Sequence, residues 1–194
     1  TTVDNTNGGA LTAAARAHSN IALAKYWGKR DSALNIPAVG SISVTLDSLF
    51  TETTVRFDDA LTHDELLLDG EPQPANRPQL GRVSSILDLV RERAGFDLRA
   101  AVASVNNFPT GAGLASSASG FAALVVAACA AAGIAASPRD LSILARRGSA
   151  SAARSIFGGF VELREGESED GSDSFAEELL DRHAWPLHVV VAIT

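Results

Sequence analysis

The 194 residues contain a single cysteine, Cys129. A lone thiol excludes a disulfide framework and any zinc site built on cysteine ligands. It stands among alanines in an apolar stretch and reads as an inert core residue. No unbroken apolar run approaches the ~18–20 residues that a membrane-spanning helix needs. The run 121–134 is too short to cross a bilayer and reads as a buried helix. Residues 1–10 lack the basic-then-apolar order of a signal peptide and read as a loose arm, so a cytoplasmic location is the expectation. Positive charge is scarce. The net charge is −7, which argues against broad nucleic-acid binding.

Lysine is nearly absent, and its placement is informative. Both lysines, Lys25 and Lys29, fall within Ala24-Lys25-Tyr26-Trp27-Gly28-Lys29-Arg30. An acidic chain that gathers its lysines in one short window has built a local positive site there. A second segment, from Asn106 through Gly111, Gly113, Ser116 and Ser117 to Gly120, is a loop of small residues running into an Ala-rich helix. A helix start exposes unpaired N–H groups and the positive end of the macrodipole. Small residues let a ligand approach that backbone, so the segment suits a phosphate. It is not a GxxxxGK[ST] loop, because no lysine follows the glycines. The third segment is Gly148-Ser149-Ala150-Ser151-Ala152-Ala153-Arg154. It sets alternating hydroxyls one turn ahead of a guanidinium able to bind carboxylate or phosphate through paired hydrogen bonds.

Apolar residues make up 46% of the chain, enough for one domain with a true core, expected over residues 11–194. Strands are expected at 11–17, 41–46, 52–57, 65–68, 98–105, 158–164 and 187–193 from alternation and β-branched content. Leu80, Val83, Ile86, Leu87 and Val90 recur at helical spacing over 79–94, and Gly95 stops that helix. A long helix is expected over 114–132. Another opens at Ser137-Pro138-Arg139-Asp140 with a cap, a first-turn proline and an acid three residues on, and ends at Gly148. A short helical turn follows over 149–155, and 165–174 is an acidic surface loop. With no βαβ repeat, the fold class is α+β: a mixed β-sheet with helices packed on one face.

Asn20-Ile21-Ala22, then Lys25-Tyr26-Trp27-Gly28-Lys29-Arg30-Asp31, then Ser41-Ile42-Ser43-Val44-Thr45-Leu46 resemble the opening of the mevalonate diphosphate decarboxylase family. The glycine-rich loop resembles that family's ATP-phosphate loop, shared more loosely with the GHMP kinases. Gly148 to Arg154, continuing to Phe160, resembles its substrate loop. The resemblance implies the GHMP-kinase N-terminal fold, of the ribosomal-protein-S5-domain-2 type. It also implies ATP-dependent decarboxylation of mevalonate 5-diphosphate to isopentenyl diphosphate through 3-hydroxyl phosphorylation, with ATP as co-substrate and Mg²⁺. By that resemblance Lys25 and Arg154 are catalytic, with Arg154 on the departing carboxylate. Tyr26, Trp27, Gly28, Lys29, Arg77, Ser149, Ala150, Ser151, Ala152 and Ala153 would bind substrate. Asn107, Pro109, Gly111, Ala112, Gly113, Leu114, Ala115, Ser116 and Ser117 would bind ATP, with Ser116 at the magnesium. Lys25, Arg154 and Ser116 are expected to share one cavity.

Departures from the family pattern bear on specificity. Ala38-Val39-Gly40 stands where a polar residue and a serine are usual, and Ala150 replaces a usual glycine. The chain resembles the N-terminal portion of a longer enzyme, so the catalytic aspartate is expected in a C-terminal half. The resemblance further implies a small phosphorylated mevalonate as partner and a homodimer of the complete enzyme, with no nucleic acid and no membrane. The alternatives are a decarboxylase or 3-kinase acting on mevalonate 5-phosphate or mevalonate, and a non-catalytic nucleotide-binding fragment. An RNA-binding domain of the related fold is disfavoured by the acidic charge.

Overall fold

The computed structural model describes residues 2–4, 11–25 and 28–192. In chain order the elements are strands β1 (Thr2–Asp4), β2 (Thr12–Ala24), β3 (Lys29–Asp31), β4 (Ile36–Pro37), β5 (Ser41–Asp58), β6 (Glu65–Leu68) and β7 (Glu71–Pro72). Helix α1 (Pro78–Ala94), strand β8 (Arg99–Asn106) and helices α2 (Ser116–Ala131) and α3 (Pro138–Gly148) follow. A 3-10 helix (Ala150–Ile156) and strands β9 (Phe160–Leu163) and β10 (Ala176–Leu180) complete the described elements.

The central ribbon is β2 antiparallel to β5, from Thr12 opposite Arg56 to Ala24 opposite Ile42. Along β2, Ala13, Ala15 and Ala17 turn inward, and along β5 Val55 and Phe57 do the same. Small residues on β2 let α2 lie close against the sheet. The alanine- and valine-rich α2 is apolar around nearly its whole circumference, and it is buried accordingly. β8 pairs with the second half of β5, and β9 pairs with its first four residues. β6 runs parallel to β8, so α1 serves as the crossover between them. The result is the expected mixed sheet with its helices packed against it.

Local signals hold well. Gly95 adopts φ 74° and ends α1, its N–H bonded to the Arg91 carbonyl. Ser137 and Asp140 form a reciprocal capping box at the start of α3.

Three expectations change. The segments 41–46 and 52–57 belong to one strand, β5, because β2 pairs with both, on either side of a bulge. The stretch 187–192 is not a strand: Leu187 is 39% exposed, Val190 is 89% exposed, and no neighbour pairs with it among the described residues. Apolar β-branched sequence makes a strand only where a ladder partner exists. Within the N-terminal arm, Thr2–Asp4 pairs antiparallel with Ala14–Arg16 of β2.

Candidate active site

β2 ties two of the three anion-suited segments together. Its register against β5 jumps from His18 opposite Phe50 to Asn20 opposite Thr45, so residues 46–49 bulge opposite Ser19. The jump resets the alternation, and both Ser19 (0% exposed) and Asn20 (3%) point inward. The Ser19 hydroxyl donates to the Leu114 carbonyl in the glycine-rich loop at 2.5 Å. Asn20 Nδ2 donates to the Ser151 carbonyl at 3.0 Å and to Ser155 Oγ at 2.7 Å. Adjacent residues of one strand thus hold the phosphate-type loop and the hydroxyl–arginine segment.

Arg154 is buried on the 3-10 helix. Its Nε donates to Ser43 Oγ at 3.0 Å, Nη1 to Ser41 Oγ at 2.5 Å and Nη2 to Asn20 Oδ1 at 3.3 Å. Ser41 and Ser43 are themselves buried, so the alternating start of β5 turns its polar face inward. These neutral hydroxyls and the amide fix the orientation of the guanidinium. Nearby, Ser149 and Ser151 are half-buried, with their hydroxyls 3.2 Å apart.

The glycine-rich loop opens α2 unusually. Gly111 and Gly113 lie at φ 79° and 78°, and Ala115, the N-cap, is left-handed at φ 56° with no side-chain cap hydrogen bond. Left-handed geometry in a non-glycine residue costs about 1–2 kcal/mol, and an uncapped start leaves N–H groups for a ligand.

A cleft of about 300 Å³ extends from this loop between α1, α2 and the sheet, lined by Gly111, Ser116, Ser117, Phe121, Arg82 and Val102 among others. Thr51 lies in its floor, donating to Asn106 Oδ1 at 2.5 Å and sharing a 2.6 Å hydrogen bond with Ser119. Arg82 caps the Phe121 ring at 4.6 Å and donates to the Gly148 carbonyl at 2.6 Å. Burial holds its pKa below the usual guanidinium range. Arg82 therefore joins the cleft to the residue that precedes Ser149.

The hairpin of β3 and β4 approaches the same region. Lys29 Nζ donates to Asn35 Oδ1 at 2.6 Å, and Asn35 Nδ2 donates to the Arg147 carbonyl at 2.7 Å. Arg30 anchors the hairpin's outer side by donating to the Glu167 and Ser168 carbonyls. Behind it, Arg146 is fully buried and donates to the Gly171 carbonyl. Burial, with Arg147 nearby, lowers its pKa to about 10.

Of the residues singled out from sequence, Ser116, Ser117 and Gly111 line the cleft, whereas Lys25 and Arg154 are not in its lining. Hydrogen bonds through Ser19, Asn20 and Arg82 connect the cleft's loop with the Gly148–Arg154 segment. Lys25 is exposed just past the end of β2, and Gly28 and Lys29 are exposed at the hairpin. Ala150, Ala152 and Ala153 are buried. Asn107 accepts the Phe50 N–H and donates to the Ser48 carbonyl, bracing the loop against the bulge. Ala112, Gly113, Leu114 and Pro109 lie in the loop itself, and Arg77 stands exposed at the N-cap of α1. Tyr26 and Trp27 lie outside the described residues. Sequence reasoning missed Ser19, Asn35, Ser41, Ser43 and Arg82 as parts of the site. Ser19 continues the inward series Ala13, Ala15 and Ala17, which was the available signal for it.

Comparison with known proteins gives a consistent result. Residues 17–176 match the model of the diphosphomevalonate decarboxylase-like N-terminal domain. The chain is 47% identical to the diphosphomevalonate decarboxylase of Aspergillus fumigatus, over 86% of this chain and 45% of the relative. It superposes on the crystal structure of mevalonate diphosphate decarboxylase from Staphylococcus aureus with TM-score 0.82 and 50% identity, covering 89% of this chain and 51% of that one. A structure of MDDEF in complex with MVAPP, AMPPCP and magnesium gives TM-score 0.80 and 50% identity, over 87% and 50% of the two chains. The chain spans about half the length of the curated relatives it matches.

Proposed function

We propose the function of this chain from one premise: it belongs to the diphosphomevalonate decarboxylase family, whose N-terminal domain it matches. The proposed activity is ATP-dependent decarboxylation of mevalonate 5-diphosphate to isopentenyl diphosphate, with a C-terminal half completing the site and the complete enzyme forming a homodimer. The observation that carries the reading is the pair Ser19 and Asn20, which bind the glycine-rich loop and the Ser151–Arg154 segment from adjacent positions.

In this reading the uncapped start of α2 and the glycines at 111 and 113 receive the ATP phosphates. The cleft volume and its apolar walls suit the nucleoside. Mg²⁺ travels with phosphates and keeps several waters, so it needs few protein oxygens. The Ser116 hydroxyl at the mouth of the cleft fits that demand, and no cluster of three acidic, histidine or cysteine ligands occurs among the described residues. When bound, the ion neutralises charge on the phosphate oxygens.

The chain's own groups do the positioning that phosphoryl transfer requires. Lys29 holds the substrate diphosphate, and Ser149 and Ser151 orient the mevalonyl end. Arg154 pairs with the carboxylate, held in place by Ser41, Ser43 and Asn20. Lys25 lies beside the 3-hydroxyl. Once that hydroxyl carries phosphate, its departure leaves positive character at C3, and the carboxylate carbon–carbon bond supplies the electron pair that becomes the alkene as CO2 leaves. Arg154→Lys in the complete enzyme is expected to lower turnover by orders of magnitude while the fold is retained, measured as ADP and CO2 release. Near-normal turnover would refute the carboxylate role.

The cleft beside the uncapped start of α2 also favours a narrower reading, nucleotide binding by this chain alone. Calorimetry with ATP and Mg²⁺ tests it: a saturable heat without ADP formation is expected.

A further inference from the structure

We infer that Asn35 is the positioning residue for Lys29, fixing its ammonium beside the Ser149–Arg154 segment; this rests on the reading above that Lys29 meets the substrate diphosphate. The amide is bifunctional, and its orientation is set by chemistry. An ammonium only donates and a backbone carbonyl only accepts, so Oδ1 must face Lys29 and Nδ2 must face Arg147. Those contacts measure 2.6 Å and 2.7 Å. The second one lands two residues before Ser149, so a single amide spans from the hairpin to the start of the proposed substrate segment.

The amide is itself well anchored. Asn35 is half-buried, whereas Lys29 is exposed. Its neighbour Ile36 is 1% exposed and packs under Gly171, where an added Cβ would come within 2.9 Å of Ile36 Cδ1 and 2.6 Å of the Arg146 guanidinium. Asp31 accepts the Leu34 N–H at 2.7 Å and tightens the turn. Asn35 takes φ 53°, a left-handed conformation that asparagine adopts more readily than most residues. A free lysine side chain samples many rotamers, and binding must order it. An acceptor fixed to the neighbouring segment does part of that ordering before ligand arrives.

The test is a double-mutant cycle on the affinity for mevalonate 5-diphosphate, read by calorimetry on the complete enzyme. Asn35→Gly removes the amide and leaves the left-handed backbone unstrained. It is expected to weaken binding about fivefold to tenfold, with an unchanged melting temperature. Lys29→Ala should weaken it further, and the double variant should match Lys29→Ala alone. Asn35→Asp keeps the Lys29 acceptor but turns an oxygen toward the Arg147 carbonyl. It should also weaken binding, and its partner charge should make the loss depend on salt. Parent-like affinity in Asn35→Gly together with a loss in Lys29→Ala overturns the positioning role and leaves the diphosphate reading standing. Parent-like affinity in Lys29→Ala overturns both. Equal additive losses in the double variant also overturn the positioning role.

Discussion

Gly148 lies directly against the Phe121 ring: a Cβ built on it would stand 2.3 Å from the nearest ring carbon. The contact brings the end of α3 onto α2 and leaves Arg82 between the ring and the Gly148 carbonyl. Gly148→Ala should therefore force the ring or the helix aside. Overpacking of this kind costs about 1–3 kcal/mol, and the melting temperature should fall accordingly. A Phe121→Leu change in the same background should restore part of the loss, which calorimetric melting would register.

Asp64 and Arg91 form a buried pair at 3.0 Å, and Asp64 also accepts the Ala100 N–H at 2.9 Å. Burial pushes the Asp64 pKa up, but the hydrogen bonds from Arg91 and Ala100 outweigh it and hold the carboxyl below its ordinary value. The unfolded chain then binds the proton more readily. This contribution is present above the ordinary carboxylate pKa of 3.8 and is lost as pH falls through the lower folded value. Asp64→Ala leaves Arg91 with the exposed Asp88 as its remaining carboxylate partner and leaves the Ala100 N–H without its acceptor, so the cost at neutral pH should fall below the ~3–5 kcal/mol of a fully stranded buried charge. That difference should shrink in acid denaturation curves.

His18 predicts a pH effect of the same sign, set in a higher pH range. Its Nδ1 is buried without a hydrogen-bond partner, and the ring sits edge-on to Phe50 at 6.0 Å. Burial lowers its pKa from 6.5, so below that value the unfolded state takes up the proton first. Stability is full above pH 6.5 and should decline as pH falls toward the depressed folded value. His18→Gln should flatten this part of the urea-midpoint profile.

Cys129 is buried within α2, and burial raises its thiol pKa to about 11. Thiolate is the reactive form. Iodoacetamide at pH 8 should leave the native chain unmodified and label it stoichiometrically in denaturant, as intact mass would show.

The sequence made some of these features visible and hid others, according to how local each cause is. The Ser137–Asp140 cap and the Gly95 stop depend on residues within one turn, and both stand as read. The long strand β5 looked like two strands because the bulge at 46–49 interrupts the alternation, whereas continuity comes from β2. Acidic β10 was missed because an outer strand of mixed polarity lacks an apolar face of its own and gains its structure from β9. Ser41 and Ser43 looked solvent-facing, and only Arg154, more than a hundred residues away, explains their burial. Asn35 carried no local mark at all, since its partner Arg147 lies 112 positions further along.

The bulge opposite Ser19 has a mechanical corollary. One peptide unit is the common origin for the glycine-rich loop and the Ser151–Arg154 segment, so thermal motion of that unit carries both together and their spacing survives displacement. Deleting three residues from the 46–49 excursion would match it to the single residue Ser19, return β2 to plain alternation and rotate either Ser19 or Asn20 toward water. The two regions would then keep their shapes but lose their common ruler.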